Sequence, residues 1–502
     1  LAHLPWYLSR SAPTSTTPLH EELRYIVFES CLLQLFRQCI TCQAPCSIST
    51  KTEGTPLILT AVCPFEHSRT WHSQPLIHDK GAGNLLLCAG IAFTGSSPVK
   101  VLRLLRLINI KPVAERTYFL YQNCFLLPAI ERVWSREQES LLAERRGKRV
   151  CLAGDGRFDS PGHSAKYMTY TFMEMRTSKV VYFVQVQLGE AIKTSNAMEL
   201  YGCMKGLTFL KGEGVMVEAL TTDRHASIKG HMKKKEPNTL HYFDTLHIAK
   251  GISKKVQAAS KYTGCGVLAS WAQPASNHIY WCAANSEDDG KLLVEMWKSI
   301  NNHVLDKHTD HGALYNRCVH DTVLGDREWL SPGTPAHRRF VAITTQPMLL
   351  KDLEQVSPEG QTYNLESYHS LLIKFAPKSV AFTPKMMFAR TRLAALHQNE
   401  NSARRQATTK KGHPMWKRTM VKARKGTEVV RTVTTGPNYA YVGRLLAEAI
   451  ACCNEWTSFK EALNENPQEE PLPMVMLYPR LPKEQLVARR MSRFCRGAAG
   501  PS

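Results

Sequence analysis

Between residues 149 and 260 short segments alternate in an order that few folds accommodate. RVCLAGD, YMTYTFMEM and KVVYFVQVQ read as three strands, the second and third joined by the hairpin-length connection Arg176-Thr177-Ser178. NAMELYGCMKGLTFL then reads as a helix, with Ser195 as N-cap and Glu199 near the capping-box position. VMVEALTTD is a fourth strand, HASIKGHMKKK a short helix stopped by Pro237, TLHYFD a fifth strand and TLHIAKGISKKVQAAS a further helix. A three-strand meander followed by helix, strand, helix and strand predicts an α/β fold built on a mixed sheet.

The flanking regions differ in texture. Residues 1–20 are rich in Pro, Ser and Thr and read as a loose lead-in. Residues 21–148 read as a mainly helical region: HEELRYIVFESCLLQLFRQC has helical spacing, residues 84–108 read as two helices broken at TGSSP, and ERVWSREQESLLAERRGKR reads as an exposed charged helix. Within this region TPLILTAVC has strand character. Residues 149–260 form the first part of the mixed core, 261–360 a mostly helical insertion, and 361–402 return to the core through NLESYHSLLIKFA and MMFARTRLAALHQNEN. Residues 403–502 hold a basic segment, the helix YVGRLLAEAIACCNEW and a Pro-rich tail. No internal repeat stands out. No hydrophobic run reaches the roughly 18 residues of a membrane span, and a first residue of Leu rather than Met reads as a fragment.

Charge narrows the partners. The 502 residues carry 64 Lys and Arg against 43 Asp and Glu, a formal net charge of +21, while 43% hydrophobic residues exclude a disordered chain. Such an excess favours a polyanion, most simply nucleic acid. Its densest stretch, residues 402–431, has ten Lys or Arg against one Glu. Arg404, Arg405, Lys410, Lys411, Lys417, Arg418, Lys422, Arg424 and Lys425 would neutralise phosphates, with Met415 and Trp416 set among them. A nuclear-localisation signal or a solvated tail has the same composition.

Two groups of side chains point to metals. Asp155 is expected to end the first core strand and Asp223 the fourth; if those strands are neighbours, the carboxylates lie side by side and repel unless a cation such as Mg²⁺ or Mn²⁺ sits between them. Glu366, opening a helix after the insertion, is the candidate third ligand, and Asp159, Asp244 and Glu199 are rivals ranked below these. His247 lies one turn before Lys250 on one helix face. It either reaches the carboxylates, with Lys250 supporting it, or is a partly buried capping residue. Arg157 either meets a phosphate or pairs with Asp159, and His163 has no assigned role. Fifteen cysteines are too irregular for a disulfide scaffold. Cys39-x-x-Cys42 followed by Cys63-x-x-x-His67 has spacing suited to one structural Zn²⁺, the second pair lying after a strand as in a ribbon. Cys46 competes with Cys42, and Cys31 is a further rival.

Taken in order, GDGRFDSPGHSAKY, TTDRHASIKGHMKKK, FDTLHIAK, LESYHSLLIKFAPK and ARTRLAALHQNEN resemble the catalytic core of cut-and-paste DNA transposases of the Kolobok type, with looser similarity to Mutator-like elements, over residues 25–435. The resemblance implies an RNase H-like fold with a helical insertion. It makes Asp155, Asp223 and Glu366 the metal-holding triad, Asp155 bridging two ions and the others holding one each. It also implies DNA cleavage and strand transfer without a protein-bound intermediate, double-stranded DNA as partner, a nuclear location and a synaptic dimer. Relatives carry an N-terminal zinc-dependent finger of which this sequence shows no sign. A non-catalytic, transposase-derived DNA-binding protein and another RNase H-like nuclease are the alternative readings.

Overall fold

The structure, a computed structural model, describes residues 17–160, 165–189, 195–320, 328–356, 362–378, 380–420, 428–465 and 481–490. His163, Lys422, Arg424 and Lys425 lie outside these residues. Among the described residues no helix is long and apolar enough to cross a membrane.

Near the N-terminus, β1 (Ser47–Thr52), β2 (Leu57–Val62) and β3 (Ser68–His72) form an antiparallel three-stranded ribbon. Among the described residues its apolar core cluster is Phe36, Leu59 and Ala61, with Cys39 and Cys63 buried nearby. The helix expected over HEELRYIVFESCLLQLFRQC is reduced to Glu29–Leu33 and one 3₁₀ turn, because Leu23, Tyr25, Ile26, Val27 and Phe28 find no apolar surface to cover. A two-residue hairpin, β4 (Leu76–Ile77) and β5 (Lys80–Gly81), leads into the helices Ala82–Phe93 and Pro98–Leu107.

The central sheet contains β6 (Arg149–Phe158), β7 (Tyr167–Glu174), β8 (Val180–Gln187), β9 (Met216–Thr222) and β10 (Leu240–Phe243), in the order β10-β9-β6-β7-β8. The meander β6-β7-β8 is antiparallel, and β9 and β10 add to its β6 edge in parallel. Every residue of β7 is buried. Such a strand reads as a continuous apolar run rather than an alternation because both faces are covered. On one face Met168, Tyr170 and Phe172 pack against Met198, Cys203 and Leu207 of the helix Ser195–Gly212. Gly202 and Gly206 permit that approach: a Cβ at Gly206 would stand 2.0 Å from Cε2 of Phe172, and one at Gly202 2.8 Å from Cβ of Tyr170. The other face meets the helices Leu127–Ala143, Tyr363–Phe375 and Pro384–Asn401. Leu127–Ala143 is therefore not the exposed charged helix that its composition suggests; Val133, Trp134, Leu141 and Leu142 are buried, while its charges face outward.

After the helix Thr245–Ala259 the chain leaves the sheet and builds a separate core from the helices Leu268–Asn285, Gly290–Lys298, Ile300–His303, Pro335–Thr344 and Pro347–Leu353. Its return is marked by a parallel bridge between Phe243 and Val356 at the β10 edge. Beyond Asn401 the basic segment folds into an antiparallel pair, β11 (Trp416–Met420) and β12 (Glu428–Thr432), before the helix Ala440–Glu455.

Candidate metal-dependent active site

β6 does not end at Asp155 as the sequence suggests. The strand runs on to Phe158, with Asp155 opposite Thr171 of β7. Two neighbours end at different places: pairing with β7 continues to Phe158, while pairing with the parallel strand β9 stops at Gly154–Thr222. Asp155 and Asp223 each stand one residue beyond that last pair. The expectation that they lie side by side thus holds through the parallel register, whereas the expectation of a strand end at Asp155 does not.

Two helices close over these carboxylates. Thr245–Ala259 begins at Asp244, whose side chain accepts a hydrogen bond from the backbone N–H of Leu246 at 3.2 Å, and one turn later His247 extends from the same helix. His247 Nδ1 lies 2.7 Å from Oδ2 of Asp244 and 2.9 Å from Oδ1 of Asp223, so His247 reaches the carboxylates while Asp244, not His247, caps the helix. Hydrogen bonds to Asp223 and Asp244 outweigh burial and push its pKa up to about 10. Asp244 has no exposed side-chain surface. Burial works to raise its carboxyl, but hydrogen bonds involving His247, Thr362 and Leu246 outweigh it and hold it below the usual range.

The helix Tyr363–Phe375 brings Glu366 in its first turn. Glu366 Oε1 lies 3.3 Å from Nζ of Lys250 and 3.6 Å from Nε2 of His247. One turn further on, Nδ1 of His369 lies 3.3 Å from Oδ2 of Asp155. The helix is held from both ends. Asp244 accepts from the Thr362 N–H at 3.4 Å, and Arg157 on β6 donates to the Ala376 carbonyl at 2.6 Å. Arg157 is buried, so its side chain is a fastener for this helix rather than a phosphate contact, and burial lowers its pKa.

Glu199 joins the group from the opposite face of the sheet, where its Cγ would be 3.0 Å from a Cβ at Gly156. Burial first, then the charges of Asp155 and Asp223, raise its carboxyl to about 7. That shift reflects burial first and only then the negative charge of the two aspartates. Asp159, by contrast, accepts from the Lys166 N–H at 3.0 Å and serves the loop.

Among the described residues the tightest acidic group, with ligand atoms within 4.8 Å of one another, is Asp223, Asp244 and His247; Asp155, Asp223 and Glu366 are not drawn together to that degree. Their oxygens suit a hard divalent cation, and like-charge repulsion explains why they turn instead toward His247, His369 and Lys250. Sequence reasoning assigns no role to His369, although its place three residues after Glu366 puts both on one helix face. It ranks Glu199 and Asp244 as mere rivals, yet both border the aspartates.

Cys39, Cys42, Cys63 and His67 form a second group, again within 4.8 Å. Cys63 Sγ and His67 Nδ1 are 3.5 Å apart, Cys39 Sγ and His67 Nδ1 3.8 Å, and the Cys42 and Cys63 sulfurs 3.6 Å. A tetrahedral zinc with Zn–S of about 2.3 Å sets its sulfurs about 3.8 Å apart, whereas a disulfide needs about 2.05 Å. The spacing therefore fits an ion and not a disulfide. Backbone N–H groups of Cys42 and Thr41 lower the Cys39 thiol to about 6. Cys46 lies beside the group, and Cys31 is exposed on the short helix.

Arg404, Arg405, Lys410, Lys411, Lys417 and Arg418 are exposed on and before the β11–β12 hairpin. Arg418 is already paired with Glu428, 2.6 Å away. Trp416 is 59% exposed, with its ring available to stack.

No protein-family model and no curated protein matches the chain. Among solved structures it is similar to one titled "Drosophila P element transposase strand transfer complex", at 11% identity and a TM-score of 0.27 over 63% of this chain and 92% of that one. A likeness at that level carries no argument. The protein is of mixed α/β architecture, with a five-stranded mixed sheet, many helices, and Cys/His and Asp/His groups whose ligand atoms lie within 4.8 Å of one another, close enough to share a metal.

Proposed function

We propose that this chain is a DDE-type DNA transposase of the Kolobok kind, with an RNase H-like catalytic core that cleaves and transfers DNA strands. The observation that carries the reading is the placement of Asp155 and Asp223 one residue beyond the last pair of adjacent parallel strands, with the helix after a helical insertion bringing Glu366 to 3.6 Å from Nε2 of His247, whose Nδ1 meets Asp223.

In this reading Asp155, Asp223 and Glu366 hold divalent cations. Divalent ions held there, Mg²⁺ or Mn²⁺, would supply activation of an attacking oxygen and charge stabilisation of the leaving oxygen of a phosphodiester. The chain's own groups set the geometry. Asp155 is fixed by its strand, with Oδ1 accepting from the Gly156 N–H at 2.7 Å. Asp223 is oriented by His247, which Asp244 orients in turn. Lys250, half exposed beside Glu366, is suited to a DNA phosphate at the rim. The basic hairpin would bind the duplex backbone largely without regard to sequence. The zinc ribbon would be a structural module, and the nucleus the place of action.

Strand joining separates this function from its rivals. A labelled duplex carrying the ends that flank the genomic copy, incubated with the chain, Mn²⁺ and a plasmid, is expected to yield covalently joined label. Cutting without joining, indifferent to the ends, would favour a general nuclease, and binding without cutting a non-catalytic DNA-binding protein.

A further inference from the structure

The insertion contains a group of side chains with no part in the site above. Among the described residues His303, His308, Cys318 and His320 bring one ligand atom each within 4.8 Å of one another. The three imidazoles surround a common point edge to face: ring centroids are 4.9 Å apart for His303 and His308, 5.2 Å for His303 and His320, and 5.0 Å for His308 and His320, with interplanar angles of 70–88°. Cys318 Sγ lies 3.7 Å from Nδ1 of His303. In a tetrahedral site with Zn–S of about 2.3 Å and Zn–N of about 2.0–2.1 Å, sulfur and nitrogen stand about 3.5 Å apart.

We propose that His303, His308, Cys318 and His320 hold a structural zinc ion that fastens the segment following the Ile300–His303 helix to the insertion core. Two further features of the surroundings support it. Nδ1 of His308 is buried with no hydrogen-bond partner, while its Nε2 lies 3.0 Å from a carboxylate oxygen of Asp306. This is the arrangement of a metal-bound histidine: one nitrogen free for the ion, the other N–H donated to a carboxylate that fixes the tautomer. His311 Nε2 lies 3.2 Å from Cys318 Sγ and its Nδ1 3.2 Å from the Asn302 amide nitrogen, so a single tautomer donates to the sulfur and accepts from Asn302.

The local fold explains why an ion is needed. The described residues 304–320 contain no helix or strand, and left-handed backbone at Asp306 (φ 59°) and Asp310 (φ 56°) turns the chain back on itself. A segment of this length without regular structure has few backbone bonds of its own to hold it. Trp329 packs against the rings of both His303 and His308, and Trp271 against His303, giving the site an apolar wall. One thiolate and three imidazoles are donors that zinc accepts. Four protein ligands leave no open position, which makes the role structural rather than catalytic.

The test is the metal content and ligand environment of the full chain purified from zinc-supplemented cells. Two zinc equivalents per chain are expected, and X-ray absorption on the wild type should show an average of two sulfurs per zinc, since the ribbon group offers three and the insertion group one. Cys318→Ser should lose one equivalent and raise the sulfur average toward three, while Cys63→Ser should lose the other. His320→Asn, at the exposed ligand, repeats the first measurement if Cys318→Ser does not fold. The proposal is overturned if the wild type holds at most one equivalent with about three sulfurs, or if neither variant in the insertion changes the zinc content.

Discussion

Asp155 and Asp223 occupy equivalent positions on two parallel neighbours, each one residue past the Gly154–Thr222 pair, yet only one of the strands ends there. β7 carries β6 three residues further, which anchors Asp155 on a rigid element. Asp223 instead begins the turn into the His225-capped helix Ala226–Lys235. One carboxylate is thus held by its strand and the other, beyond its strand's end, by its contact with His247.

Glu199 gives the acidic centre a pH signature. Its carboxyl is raised to about 7 by burial and by Asp155 and Asp223. A raised carboxyl costs nothing while both folded and unfolded forms are protonated; the cost appears as pH rises past about 4.5 and is complete above about 7. Without divalent cations, Glu199→Gln should therefore be more stable than wild type at pH 8 by about 1–2 kcal/mol, after discounting for partial exposure. The gap should close near pH 4.5. Denaturant melts at the two pH values check this, and equal stability at pH 8 would refute it.

Asp244 is expected to be structural. Asp244→Asn removes the charge that holds His247 and weakens the bonds to the N–H groups of Leu246 and Thr362. A loss of about 2 kcal/mol in stability is expected. Amide exchange should rise at the start of both Thr245–Ala259 and Tyr363–Phe375. Exchange rising in the first helix alone would separate Asp244 from the placement of Glu366.

Zinc removal should act locally. With an apolar cluster of just Phe36, Leu59 and Ala61 among the described residues, the ribbon has too small a core to stand without its ion. A strong chelator should abolish exchange protection in β1–β3 and leave β6–β8 protected. Protection persisting in β1–β3 after verified zinc loss would contradict this.

The basic hairpin is tested by salt. Lys410, Lys411 and Lys417 are exposed, and none forms an ion pair among the described residues. Replacing all three with Gln should reduce the slope of log affinity against log salt for duplex DNA by about 2–3. An unchanged slope would place the DNA elsewhere.

The parts of this protein governed by local pattern were legible in its sequence. The strands over Tyr167–Glu174 and Val180–Gln187, β6 as far as Asp155 but not its continuation to Phe158, and the helix beginning at Ser195 follow from apolar runs and turn residues. The Cys39–His67 group follows from spacing. What escaped depends on partners distant in the chain. Glu199 meets the aspartates only because Gly202 and Gly206 let its helix lie close to β7. Arg157, open in the sequence between a phosphate and Asp159, takes neither role because its partner is the Ala376 carbonyl, 219 residues away. The insertion group has only the short pair Cys318-x-His320 and no second one such as C-x-x-C, and its convergence rests on two left-handed turns that composition does not announce.

The central claim is that Asp155, Asp223 and Glu366 form a metal-dependent DNA-cutting site. The most direct measurement is nicking of duplex DNA, including the flanks of the genomic copy, by purified wild type and Asp223→Asn in Mg²⁺ and in Mn²⁺. The account predicts cutting that requires the cation and falls at least about a hundredfold in the variant, consistent with the loss of several kcal/mol of transition-state stabilisation. Equal cutting by both proteins, or a folded, DNA-bound wild type that cuts in neither metal, would contradict it.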